Sequence, residues 1–270
     1  MIDIKYGSKP LHYPVGKIYL FGDVHNEADK LMSVLDQIEP LITPDDHIVF
    51  CGDLVDRGPQ AALTIEVLVD LVRKYPDQVF FVRGNHDWML QNFLATGNQG
   101  WFSYLLVTLN DYRDKWNLPY IGPDVVAQAL LDRGFKEITA RMIPYYETDE
   151  ILATHAPLDY TACMMNGLDH YEEQYKDRIN DPGFTYFLEK MDYEILWQFT
   201  DEDRAIPDFK KFRVCGHQPG HYKHPRIFKD RAFIDTGCGK GNRPLTCMVY
   251  PGKKVYQSDP SIDKQRDCSK

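Results

Sequence analysis

No run of roughly 18 apolar residues occurs in this chain, so nothing in it reads as a membrane-spanning helix. The opening residues Met1-Ile2-Asp3-Ile4-Lys5 lack the basic segment followed by an apolar one that marks secretion. The six cysteines (Cys51, Cys163, Cys215, Cys238, Cys247 and Cys268) form no C-x-x-C pair, so neither a thiolate metal site nor a disulfide framework is indicated. Several sit in apolar, strand-like runs, where a free thiol acts as a small hydrophobe. We read them as reduced, and the protein as cytoplasmic. An excess of positive charge is also missing: 31 Lys and Arg stand against 40 Asp and Glu, a net charge of −9. That excludes general nucleic-acid binding, which needs basic surface to neutralise phosphates. Neither a repeat nor a linker divides the 270 residues. With ordinary hydrophobic (43%) and charged (26%) contents, the expectation is one domain over 1–257 and a polar tail over 258–270.

What the chain does have is a repeated device: a short apolar run stopped by a glycine and then by polar, metal-capable residues. Lys17-Ile18-Tyr19-Leu20-Phe21 runs into Gly22-Asp23-Val24-His25-Asn26. His47-Ile48-Val49-Phe50-Cys51 runs into Gly52-Asp53-Leu54-Val55-Asp56-Arg57-Gly58-Pro59, and Gln78-Val79-Phe80-Phe81-Val82 into Arg83-Gly84-Asn85-His86-Asp87. Between them, Leu31, Val34, Leu35 and Ile38 recur at helical spacing within 27–38, as do Leu63, Val67, Leu68, Leu71 and Val72 within 61–74. Strand, loop and helix in alternation predict parallel strands with crossover helices. Ligands of such sheets bind beyond the carboxyl ends of the strands, where all three loops fall.

Later, Ile151-Leu152-Ala153-Thr154-His155-Ala156-Pro157 and Phe212-Arg213-Val214-Cys215-Gly216-His217-Gln218-Pro219 repeat the pattern with a histidine. The runs 232–237, 245–250 and 254–256 are β-prone with no helix between, which predicts antiparallel or mixed pairing. Residues 158–211 read as polar and helix-rich, with Trp197 as an anchor. The segment 96–146 is rich in aromatics (Trp101, Phe102, Tyr104, Tyr112, Trp116, Tyr120, Tyr145, Tyr146), with a helix expected over 124–132. It reads as helical packing around the site or as a wall on which a substrate stacks.

Five strand ends thus deliver Asp23, His25, Asp53, Asn85, His155 and His217. Carboxylate, imidazole and amide oxygen without thiolate suit Mn²⁺, Fe²⁺ or Zn²⁺. Six ligands exceed the need of one tetrahedral zinc and suffice for two ions if one carboxylate is shared. Isolated histidines such as His12, His47, His170, His221 and His224 read as local hydrogen bonders.

The ordered blocks GDxHx, GDxVDRG, GNHx, T-H-A and GHxP, followed by Ile234-Asp235-Thr236-Gly237, resemble those of the calcineurin-like metallophosphoesterases of the protein-phosphatase type. The resemblance is close to small bacterial and phage serine/threonine phosphatases and to diadenosine tetraphosphate hydrolases. The resemblance implies an α/β fold in which a central β-sandwich of mixed sheets is flanked by helices, with a dinuclear site at one edge. It implies that Asp23 and His25 hold one ion, that Asn85, His155 and His217 hold another, and that Asp53 bridges them. Mn²⁺ is the first choice, with Fe²⁺/Fe³⁺, Zn²⁺, Ni²⁺ or Co²⁺ as alternatives. A water made more acidic by the two ions would attack phosphorus. His86 is implied as general acid, Asp56 as its partner, and Arg57 with Asn85 as phosphate-binding groups. A second phosphate-binding arginine is implied at Arg204, after Leu196-Trp197, with Arg83 as another candidate.

Three positions bear on the substrate. Asn26 replaces the usual glycine, and asparagine tolerates left-handed backbone. Asp87 stands where many protein phosphatases carry Glu and diadenosine tetraphosphate hydrolases carry Asp, and Gly58-Pro59 leans the same way. Asp56 is the protein-phosphatase choice. The expected partner is a phosphorylated protein, with a phosphorylated small molecule or nucleotide, a dinucleoside tetraphosphate, as the alternative. No membrane partner is expected.

Overall fold

A computed structural model describes residues 16–157, 196–197, 210–221 and 223–263. The expected helices within 158–211, apart from Leu196, Trp197, Lys210 and Lys211, lie outside the described residues, as do Arg204, His12 and His170.

One sheet comprises β1 (Ile18–Phe21), β2 (His47–Phe50), β3 (Val79–Val82), β4 (Met142–Ile143), β10 (Thr246–Tyr250) and β11 (Lys254–Gln257), in the order β11-β10-β1-β2-β3-β4. The other comprises β5 (Tyr146–Glu147), β6 (Ile151–Thr154), β7 (Phe212–Cys215), β8 (Arg226–Ile227) and β9 (Arg231–Phe233), in the order β5-β6-β7-β9-β8. Both sheets are mixed: β1, β2, β3 and β4 run parallel, as do β6, β7 and β9, whereas β10, β11, β5 and β8 pair antiparallel.

The period-2 alternation of strand side chains divides the core in two. Ile18, Leu20, Val49 and Val82 face the second sheet, where Ile151, Ala153, Val214 and Ile234 meet them. Tyr19, Phe21, Ile48, Phe50 and Phe81 face the helices. Apolar side chains on both faces explain why the central strands read as continuous apolar runs. The helices are α1 (Ala28–Ile38), α2 (Ala61–Lys74), α3 (Asn85–Thr96), α4 (Phe102–Trp116), α5 (Pro123–Asp132) and α6 (Phe135–Thr139). In α2 the buried stripe follows Ile65, Leu68, Val69 and Val72, so Leu63, read as part of the apolar face, is 36% exposed.

Parallel register is what builds the site. Phe21 lies level with Phe50, and Phe50 with Phe81, so β1, β2 and β3 end on one edge. Thr154 lies level with Cys215, which brings the ends of β6 and β7 level in the facing sheet. Part of the expected tail is tied down: Ser258 N–H donates to Leu245 O (3.0 Å), and Asp263 pairs with the buried Lys30 at 2.7 Å. Among the described residues no helix is long and apolar enough to cross a membrane.

Candidate active site

The loops that leave these strands are strained and laced together. Of the eight non-glycine residues with positive φ among those described, six lie here: His25, Asn26, Asp53, Asp56, Arg57 and His217. Such conformations persist only where the surroundings impose them. Val24 N–H and His25 N–H both donate to Asp53 O (3.0 and 2.9 Å), and Asn26 N–H donates to Leu54 O (3.0 Å). The first two loops are therefore one hydrogen-bonded unit. Asn26, at φ 54°, adopts the left-handed backbone that its place in the motif requires.

The glycines serve two different purposes. Gly52 has φ 97°, which an L side chain rarely adopts. Gly84, the glycine that stops the third apolar run, has φ −91°. It is glycine because a Cβ there would stand 2.1 Å from Asp53 N and 2.3 Å from Asp53 Oδ1. The third motif also differs from the loop expected. Asn85, His86 and Asp87 form the first turn of α3, where Asp87 accepts from the N-cap Gly84 N–H and, across to the second loop, from Leu54 N–H, both at 2.9 Å.

Lone pairs converge at the centre. His25 Nδ1 contacts Val55 O at 2.9 Å and His155 Nδ1 contacts Cys51 O at 2.8 Å. A carbonyl can only accept, so each ring carries its proton on Nδ1 and turns a bare Nε2 inward. His25 Nε2 lies 3.4 Å from Asp53 Oδ2 and 3.7 Å from Asp23 Oδ2. His155 Nε2 lies 3.4 Å from Asp53 Oδ1 and 3.2 Å from His217 Nδ1. The amide end of Asn85 sits 2.9 Å from His155 Nε2, 3.2 Å from His217 Nδ1 and 3.3 Å from each Asp53 oxygen. Asp23 Oδ2 and His25 Nε2 are buried with no hydrogen-bond partner among the described residues.

Acceptors packed this closely repel unless positive charge lies between them, supplied by a cation or, in part, by an inward-turned Asn85 NH₂. Ligand atoms about 2.1 Å from a shared ion stand roughly 3.0–3.4 Å apart, close to the 2.9–3.7 Å found here. The donor set and its geometry therefore fit divalent cations. The two oxygens of Asp53 face the two clusters, His25 on one side and His155 on the other.

Charge around these groups follows the same logic. Burial pushes the basicity of His25, His155 and His217 down, His217 to about 3, which leaves neutral rings able to bind metal. Burial, and then the nearby carboxylates of Asp235 and Asp53, push Asp23 well above the usual carboxylate range. In Asp53 the surrounding histidines outweigh burial and hold the group low.

Beside the clusters stands a second constellation. His86 Nδ1 meets Asp56 Oδ2 at 2.8 Å, and Arg57 Nη2 donates to His86 Nε2 at 3.1 Å. His86 N–H donates to Asp53 Oδ1 at 2.9 Å, so the same residue touches both constellations. Burial disfavours a protonated His86 ring, but the Asp53 and Asp56 carboxylates outweigh it and raise its basicity. Arg57 is exposed; Asp56 is buried. Tyr104 is 57% exposed with its ring 6.3 Å from that of His86, and Trp101 packs 6.0 Å from Tyr104.

A family model for calcineurin-like phosphoesterases matches residues 16–233. The chain belongs to this family. As a calcineurin-like phosphoesterase it is a metal-dependent hydrolase of phosphate esters, and the edge just described carries the residues its motifs supply. The asymmetrical bis(5'-nucleosyl)-tetraphosphatase PrpE of Geobacillus sp. (strain WCH70) is 30% identical over 252 residues, covering 87% of this chain and 91% of the relative. The serine/threonine-protein phosphatase PP2A-like PPG1 of Candida albicans is 33% identical over 99 residues, 37% of this chain and 22% of that protein. The solved cold-active protein-tyrosine phosphatase of a Shewanella species shares the fold, with a TM-score of 0.55 at 17% identity over 92% of this chain and 82% of that one.

Within the phosphoesterase, Asp23, His25, Asp53, Asn85, His155 and His217 come together, as do His86, Asp56 and Arg57. Arg204 lies outside the described residues. Arg83 is buried, His221 and His224 are exposed, and His47 is buried against Tyr146 OH (2.7 Å). In the aromatic segment Tyr112, Tyr145 and Tyr146 are buried as packing residues, whereas Tyr104 and Tyr120 are exposed. Sequence reasoning assigned no role to Asp235, which is buried beside Asp23. Its place directly after the apolar run Ala232-Phe233-Ile234 was the available signal.

Proposed function

We propose that this phosphoesterase hydrolyses phosphate monoesters, and that phosphoserine or phosphothreonine in proteins is its substrate. The observation that carries this reading is the Asp56–His86 pair with Arg57 at its edge. A serine or threonine alkoxide is a poor leaving group and gains most from a positioned acid. A nucleotide phosphate leaves as a much weaker base and gains little.

In this reading Asp23, His25 and Asp53 would hold one divalent cation and Asp53, Asn85, His155 and His217 a second, Mn²⁺ in both sites. Bound there, the cations would supply Lewis-acid polarisation and a more acidic water. Arg57 and the Asn85 side chain would take phosphoryl oxygens, the guanidinium through its forked N–H groups. Occupying Arg57 in this way withdraws a donor from His86 Nε2 and so favours a proton on that nitrogen. His86 would give this proton to the leaving oxygen, while Asp56 holds Nδ1–H and steadies the charged ring. We place the reaction in the cytosol; the buried free thiols Cys51, Cys215, Cys238 and Cys247 fit a reducing compartment.

A second reading, hydrolysis of dinucleoside tetraphosphates, is favoured by the relative that matches along nearly its whole length. The exposed Tyr104 and its neighbour Trp101 offer a base a surface for stacking. The deciding experiment compares kcat/KM on a phosphoserine peptide and on diadenosine tetraphosphate, with Mn²⁺ restored after chelation. Faster peptide turnover supports the monoesterase. Faster tetraphosphate turnover, with KM raised by Tyr104→Ala, overturns it in favour of the second reading.

A further inference from the structure

We propose that Thr108, on α4, is a positioning residue for this reaction: its hydroxyl fixes the Asp56 carboxylate and, through it, the His86 ring. The inference rests on His86 acting as general acid.

The hydrogen bonds leave one arrangement. Thr108 is fully buried, and its Oγ1 has three partners: Asn26 Nδ2 at 2.8 Å, Asp56 N at 3.1 Å and Asp56 Oδ1 at 2.6 Å. A hydroxyl has one proton and two lone pairs. The Asn26 amide and the Asp56 N–H can only donate, so they use both lone pairs. The hydroxyl proton must therefore point at Asp56 Oδ1. Asp56 Oδ2 faces His86 Nδ1 at 2.8 Å. Each oxygen of one carboxylate then has one donor, which fixes its plane. The final torsion of an aspartate is otherwise broad, and Asp56 sits on a turn at φ 72°.

The geometry is not a by-product of helix formation. A helical threonine ordinarily turns its hydroxyl back to the carbonyl one turn earlier. Thr108 instead reaches a residue 52 positions away. The arrangement also accounts for Asn26: where the motif usually has glycine, this chain has a side chain that saturates Thr108. The result is a buried chain, Asn26–Thr108–Asp56–His86, in which α4 backs the acid through the Asp56 carboxylate.

The test separates positioning from folding by the leaving group. Wild type, Thr108→Val, Thr108→Ser and His86→Asn are assayed with Mn²⁺ on a phosphoserine peptide, whose leaving group needs a proton, and on 2,4-dinitrophenyl phosphate, whose leaving group does not. Thr108→Val should lose about tenfold or more in kcat on the peptide, the value of one hydrogen bond to a charged group. On the dinitrophenyl ester it should stay within about twofold of wild type. Thr108→Ser should recover most of the peptide rate. Equal losses on both substrates, or none on either, overturn the proposal while a selective loss in His86→Asn leaves the parent reading standing. If His86→Asn shows no selectivity, the acid assignment falls and the proposal with it. Should the valine substitution prevent folding, Thr108→Ala is read by the same comparison.

Discussion

Replacing Gly84 by alanine tests the idea that the centre depends on the close approach of two backbones. Gly84 has φ −91° and ψ 169°, a conformation alanine adopts freely. Any damage must therefore come from contact. The added Cβ would lie 2.1 Å from Asp53 N, 2.3 Å from Asp53 Oδ1 and 2.9 Å from Asp53 Cα, where ordinary contacts begin at 3.4 Å. Two of these atoms are main chain, so the relief has to be a backbone shift of about 1 Å. Overpacking of this kind costs about 1–3 kcal/mol. In a domain of this size that lowers Tm by roughly 2–4 °C per kcal/mol. Because Asp53 faces both acceptor clusters, a displacement of about 1 Å should cost on the order of 10²-fold in turnover and weaken Mn²⁺ uptake. Calorimetry with and without Mn²⁺, metal content by elemental analysis, and kcat on p-nitrophenyl phosphate measure the three effects. Gly252→Ala, where an added Cβ meets nothing within 4 Å, is the control and should leave all three unchanged. A Gly84→Ala protein with wild-type metal content and turnover refutes the reasoning.

Asp23→Asn should lower Mn²⁺ stoichiometry in equilibrium dialysis, since it removes charge from a carboxylate whose Oδ2 is buried beside His25. His86→Asn should leave that stoichiometry unchanged while reducing kcat by about 10²–10⁴-fold on alkyl phosphates; near-wild-type turnover in the metal-replete variant would remove His86 from the role. Chelation should lower Tm, and Mn²⁺ at about 100 times its Kd should restore roughly 2.7 kcal/mol, read from a titration of Tm against metal. His47 supplies a pH test away from the centre. Burial pushes it down from 6.5 to about 4, so the neutral ring is the folded form and its contribution is complete above pH 6.5. That stability is lost as pH falls from 6.5 towards 4. The urea midpoint should drop over this window by an amount equivalent to about 1–3 kcal/mol, and less steeply in His47→Gln; parallel slopes would remove His47 as the cause.

The strands, and the convergence of Asp23, His25, Asp53, Asn85, His155 and His217 at one edge, were legible because their physics is local. Apolar runs buried on both faces announce the central strands, and the residues just past each run fall on one edge once the strands are parallel. The start of α3 was not legible. Gly84-Asn85-His86-Asp87 has the composition of a turn, and the capping of Gly84 N–H by Asp87, which also ties the turn to Leu54 N–H of the second loop, accompanies its conversion into a helical first turn. Nor were the reasons for the glycines: Gly84 and Gly216 are dictated by aspartates on other loops, Asp53 and Asp23, which a Cβ would meet at 2.3 Å or less. The mixed pairing of the second sheet was legible only as a class, because β7 and β9 pair parallel although the chain between them carries the antiparallel β8. The service of α4 was hidden for the same reason of distance, since Thr108 and Asp56 share no local pattern.

The strained loops and the crowded acceptors are two sides of one arrangement. Each left-handed residue costs on the order of 1 kcal/mol, and six of them gather where carboxylate, imidazole and amide lone pairs are also forced together. Neither cost is recovered within the loops themselves, whose cross-links satisfy main-chain groups but leave Asp23 Oδ2 and His25 Nε2 without hydrogen-bond partners among the described residues. A cation bound between those atoms recovers the repulsion directly, because it turns mutual repulsion into shared attraction. It also recovers the strain indirectly, by stabilising only the backbone that presents the ligands. His86 belongs to the same construction: its N–H orients Asp53 while its ring faces Asp56 and Arg57. The residue that would release the leaving group is thus held by the carboxylate that would hold the ions, and one set of contacts would set both metal occupancy and acid placement.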